Sequence, residues 1–67
     1  MKLINSTTKK EIKVGDEVTT FRGEKAVLRG SEEPKHPASS GRVYVRFDGH
    51  DYDMSYFPSV IGAEFVK

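Results

Sequence analysis

The run Tyr56 to Phe65, YFPSVIGAEF, constrains this chain more than any other stretch. An aromatic strand exit is followed by a proline that presets φ and cannot donate to a ladder, then one apolar turn, a glycine and a last short apolar run. A small all-β domain needs such a corner to carry its final strand back across the sheet. Val60 and Ile61 are placed to plug the interior, and Gly62 permits the sharp exit into a strand over Ala63 to Val66.

The rest of the sequence agrees with a β reading. No window sustains a helical period, whereas short alternating runs are separated by Gly, Pro, Asp and Ser at intervals of about ten residues. Leu3 and Ile4 predict a brief first strand, Glu17 to Phe21 a second and Lys25 to Arg29 a third, with a tight turn at Arg22, Gly23 and Glu24. Ser31 to Gly41 reads as a long loop, and loops of that length frequently carry function. Arg42 to Phe47, the turn Asp48 to Asp51 and Tyr52 to Phe57 then form the most regular hairpin. Closure through four residues sets Phe47 against Tyr52, Val45 against Met54 and Val43 against Tyr56 on one apolar face. The opposite face then pairs Arg46 with Asp53, the opposite charges agreeing with the same register.

The expected architecture is a single all-β domain over residues 1–67. It is a small barrel of five or six short antiparallel strands, with one short 3-10 turn before the last strand, an N-terminal strand or arm at 1–13 and the long loop at 31–41. Its predicted core is Val14, Val18, Leu28, Val43, Val45, Phe47, Met54, Val60, Ile61 and Phe65. A chain of 67 residues hides only about 60% of its unfolded surface, which leaves little room for a deep catalytic cleft. With no cysteine, neither disulfides nor thiolate zinc sites are available. No apolar run approaches the ~20 residues of a membrane span. The expectation is therefore a cytoplasmic protein without membrane contact.

Eleven basic residues against ten acidic ones give a net charge of +1, too little for a polyanion-binding tail. The functional candidates are local. Pro34, His36 and Pro37 in the loop, with Tyr56 and Phe57 at the corner, make a candidate protein-binding patch. Arg29, Arg42, Tyr44 and Arg46 make a candidate nucleic-acid face, extendable by Arg22 and Lys25, because aromatic and basic residues together stack bases and neutralise phosphates. Pro34 to Pro37 also fits a P-x-x-P pattern, but the favoured reading of two prolines here is a stiffened loop. Asp48, Asp51 and Asp53 beside His50 lack the glycine and glutamate that a calcium loop requires, so no metal is expected. No nucleophile elbow or metal-hydrolase spacing occurs, so neither catalysis nor a cofactor is expected. A protein partner leads and nucleic acid is the alternative, with a small hydrolase or toxin a distant third.

The ending YFPSVIGAEFV resembles the F-P-S turn and last strand of SH3 domains, and KVGDEVTTFRGEKAVLRG resembles the opening of KOW-type barrels, together covering residues 14–66. The resemblance implies an SH3-like barrel. The chain departs from SH3 domains in having no tryptophan, no paired-tyrosine motif in its first half, and three residues in place of the long acidic loop. As a whole it is similar to short uncharacterised proteins of bacteriophages and prophages that carry FRGE, P-x-H-P-x-S-x-G-R-V and YFPSV-x-G runs. That likeness implies an accessory protein acting in the host cytoplasm on a host or phage protein.

Overall fold

A computed structural model describes residues 1–36 and 38–67. Six strands occur in the order β1 (Lys2–Asn5), β2 (Glu17–Thr19), β3 (Lys25–Glu32), β4 (Arg42–Phe47), β5 (Met54–Tyr56) and β6 (Ala63–Val66), with one 3-10 turn, Pro58–Ile61, before the last. They form two antiparallel sheets, a β1-β6 pair and a four-stranded sheet in the order β2-β3-β4-β5. The expected all-β class and the 3-10 turn are both present.

The strands do not close into a continuous barrel. The edge strands β2 and β5 pair only with β3 and β4, and among the described residues no ladder joins the four-stranded sheet to β1 or β6. Side-chain burial joins the two sheets instead, supplemented by a bond of 2.9 Å from the Phe21 amide to the Val60 carbonyl. Leu3, Val18, Ala26, Leu28, Val43, Val45, Ile61 and Ala63 make the buried core, with Ile12, Phe47, Met54, Tyr56 and Phe65 packed against it.

Alternation explains the central sheet. Ala26 and Leu28 on β3 and Val43 and Val45 on β4 point inward, while Lys25, Val27, Arg42 and Tyr44 occupy the other face. The β4-β5 register matches the sequence expectation, with Val43 opposite Tyr56, Tyr44 opposite Ser55 and Val45 opposite Met54. A bulge between Leu28 and Gly30 shifts the β3-β4 register and lets β3 continue to Glu32, opposite Arg42.

Several expectations are corrected. Val14 is 66% exposed rather than core, because it sits in the turn before β2. Val60 is only half-buried, while Ile61 is buried as expected and Leu3, Ala26 and Ala63 join it in the interior. The second strand stops at Thr19, where Thr20 turns the chain. β5 begins at Met54, so Phe47 and Tyr52 do not form a ladder pair and residues 48–53 make the connection. The long loop starts at Glu33, since β3 takes Ser31 and Glu32. Among the described residues no helix is long and apolar enough to cross a membrane.

Candidate functional site

The sheet alternation decides which candidate residues meet. Tyr56 follows the inward side of β5 and meets the Phe47 ring edge-on at 6.1 Å. Phe57, the next residue, projects to the other side, where the Arg42 guanidinium lies over its ring at 4.4 Å. The two aromatics that looked like one patch in the sequence serve separate surfaces.

Phe57 shares a groove of about 470 Å³ with His36, Lys35, Glu32 and Arg42. Pro34 is half-buried and lines an adjoining groove of about 310 Å³ with Pro58, Ser59 and Phe65. The remaining loop candidate, Pro37, lies outside the described residues.

Arg42, Tyr44 and Arg46 alternate along the outward face of β4, and Arg29 reaches the same face from the β3 bulge. The polar groups of Arg29, Tyr44 and Arg46 are engaged, whereas Arg42 rests on the Phe57 ring. Asp53 Oδ1 accepts from Arg46 Nε at 2.9 Å and lies 3.7 Å from Arg29 Nε. The Tyr44 hydroxyl donates to Glu32 at 3.0 Å. That bond, followed by the neighbouring Lys35, holds the Glu32 carboxyl below its ordinary value, and the same bond raises the Tyr44 phenol. The face is therefore largely neutralised from within.

Asp53→Asn tests this masking. Loss of two exposed pairs is expected to change stability by less than about 1 kcal/mol. Release of Arg29 and Arg46 is expected to strengthen single-stranded DNA binding at about 50 mM salt, with the gain fading by about 200 mM. Fluorescence anisotropy reads both, and an unchanged affinity would show that Asp53 masks nothing.

A second surface, of which the sequence singled out only Tyr56, lies at the end of the domain around that residue. A chain of rings extends from it: Phe47 meets His50 edge-on at 5.9 Å, and His50 stacks on Tyr52 at 5.2 Å and 12°. Tyr52 is 53% exposed. On the other flank, Phe21 is 76% exposed, with Arg22 at 5.8 Å from its ring centroid.

Phe21 does not hang from a loose loop. The buried Thr20 accepts from the Arg22 and Glu24 amides through Oγ1, each at 3.3 Å, and its own amide donates to the Glu24 carbonyl at 2.9 Å. The Phe21 amide is tied to Val60 as described. Two shallow grooves of about 250 and 430 Å³ flank Tyr56, the first shared with Phe21 and Val60, the second with Phe47, His50 and Tyr52. The polar rim of the larger balances Arg22 and Lys25 against Glu24 and Asp48. The signal missed was a Phe beside a tight turn, which strand propensity alone assigned to β2.

Among the described residues no group of three or more His, Asp or Glu side chains is placed to hold a metal ion. Comparison of the chain with protein-family models, curated proteins and solved structures finds no match.

Proposed function

We propose that this domain is a non-enzymatic binding module that docks a protein partner through its aromatic end, as befits a phage or prophage accessory protein on a small SH3-like scaffold. Phe21 carries the reading. A phenylalanine 76% exposed on a turn tied at Thr20 and Val60 loses little freedom on binding, so its apolar area converts efficiently into affinity. Tyr56, Tyr52 and His50 extend the contact, and the mixed charges of Arg22, Lys25, Glu24 and Asp48 suit the polar rim of a protein interface.

The same balance argues against a polyanion there, and the neutralised β3-β4 face argues against one on the sheet. Phe21→Ala is expected to leave unfolding stability within about 0.5 kcal/mol of the parent, because the side chain is exposed. It is expected to weaken partner retention by about thirtyfold or more, the effect of losing a hot spot of about 2 kcal/mol. Affinity capture from nuclease-treated host lysate, with quantified bound protein, measures this. Retention that vanishes with nuclease, or is equal for parent and variant, contradicts the reading.

A further inference from the structure

The groove at the opposite corner holds an arginine with unusual freedom. Arg29 and Arg46 are both committed to Asp53, whereas Arg42 makes no ion pair among the described residues and rests on the exposed Phe57 ring. A guanidinium resting over a ring gives up no N–H donor to it in a conventional hydrogen bond, so its donors remain available to an acceptor. Its backbone is restrained. Gly41 is buried, its amide donates to Ser39 Oγ at 3.2 Å, and Arg42 is locked into the ladder opposite Glu32. The donor fork is thus built before any ligand arrives.

The groove also says which anion it suits. Glu32 and Glu33 line it with Lys35 and His36, and Lys35 is drawn to Glu32 at 3.5 Å. Glu33 is likewise paired with the Met1 ammonium at 3.1 Å, so among the described residues lining the groove the one charge left without a partner is the Arg42 guanidinium, which matches a single carboxylate better than a phosphate dianion or a polyanionic strand. Phe57, 52% exposed, offers apolar area alongside. We propose that Arg42 and Phe57 form a subsite for a peptide segment carrying one Asp or Glu next to a large apolar residue, the carboxylate on Arg42 and the apolar side chain on Phe57. The subsite does not involve Phe21, so it and the aromatic-end reading stand or fall separately.

The test is an NMR titration of the full chain with acetyl-Leu-Glu-Leu-amide, with acetyl-Leu-Gln-Leu-amide and inorganic phosphate as the other arms. Saturable shifts at the Arg42 Nε–Hε and Gly41 amide are expected in the millimolar range, as suits so small a ligand. The glutamine peptide and phosphate are expected to bind more weakly. Arg42→Gln is expected to reduce affinity for the glutamate peptide about tenfold, and Arg42→Lys, which keeps the charge but loses the fork, by less. The backbone spectrum of each variant reports its fold. Equal binding of the glutamine peptide, tighter binding of phosphate, undiminished binding to Arg42→Gln, or no saturable shift would each overturn the proposal.

Discussion

Leu28→Ala is expected to lower unfolding stability by about 2 to 5 kcal/mol, the range for truncating a leucine in a core that relaxes only partly. Leu28 is 1% exposed, and its strand lies inside the four-stranded sheet opposite Val45. Its backbone is fixed at both polar groups, the amide donating to the Asp16 carbonyl at 2.9 Å and the carbonyl accepting from the Gly15 amide at 2.8 Å. The void left by truncation therefore cannot collapse by backbone movement without breaking the link to residues 15 and 16. Stabilities of about 0.05 to 0.15 kcal/mol per residue allow a chain of this length only about 3 to 10 kcal/mol in total. Urea unfolding followed by circular dichroism is expected to show the midpoint falling by about a fifth or more. Leu28→Met conserves volume and is expected to cost less than about 1.5 kcal/mol. A loss under about 1 kcal/mol for Leu28→Ala would mean that the core is not packed around this residue.

Gly41→Ala is expected to have an effect of similar size for a different reason. A Cβ at this position would lie 2.6 Å from the Glu32 carbonyl oxygen and 2.7 Å from Phe65 Cε2, at φ +79°. The oxygen belongs to the β3-β4 ladder and cannot retreat as a flexible side chain would. Left-handed strain of about 1 to 2 kcal/mol and overpacking of about 1 to 3 kcal/mol together give about 2 to 5 kcal/mol. Gly49→Ala separates the two contributions. Gly49 has φ +83° with nothing within 4 Å of its Cβ position, so only the strain of about 1 to 2 kcal/mol is expected there. Equal losses at both sites in the same urea assay would show that the close approach at Gly41 is not real.

Where neighbouring side chains alternate cleanly, the sequence was enough to place them. Val43, Val45, Met54 and Tyr56 share a face, and Arg46 meets Asp53, because a period of two leaves only one register that buries the apolar set. The corner at Pro58 and its exit at Gly62, φ +65°, follow equally from residue types with restricted or special backbone preferences. Other features depend on distant partners. Nothing local distinguishes Val14, which is exposed, from Leu3, which is buried through its pairing with Phe65 across β1-β6. Gly30, Ser31 and Glu32 have weak strand propensity and are held in β3 by cross-strand bonds to β4.

The candidate sites follow the same division. Tyr56 and Phe57 are adjacent, so strand alternation alone sends them to opposite sides. The nucleic-acid candidates do share a face, and the hairpin register already set Asp53 against Arg46, but Glu32 reaches it from the end of β3, which was not legible. Phe21 became prominent only because Thr20 is buried and turns the chain, so that β2 ends at Thr19, two residues earlier than expected.

Photo-crosslinking at the aromatic end tests the central claim most directly. With p-benzoylphenylalanine placed at position 21, at position 52, or at the exposed but remote position 14, irradiation in nuclease-treated host extract is expected to give one discrete protein adduct. It should be shared by positions 21 and 52 and absent from position 14. An adduct formed equally from position 14, or one that requires intact nucleic acid, would contradict a protein-docking surface built on Phe21 and Tyr52.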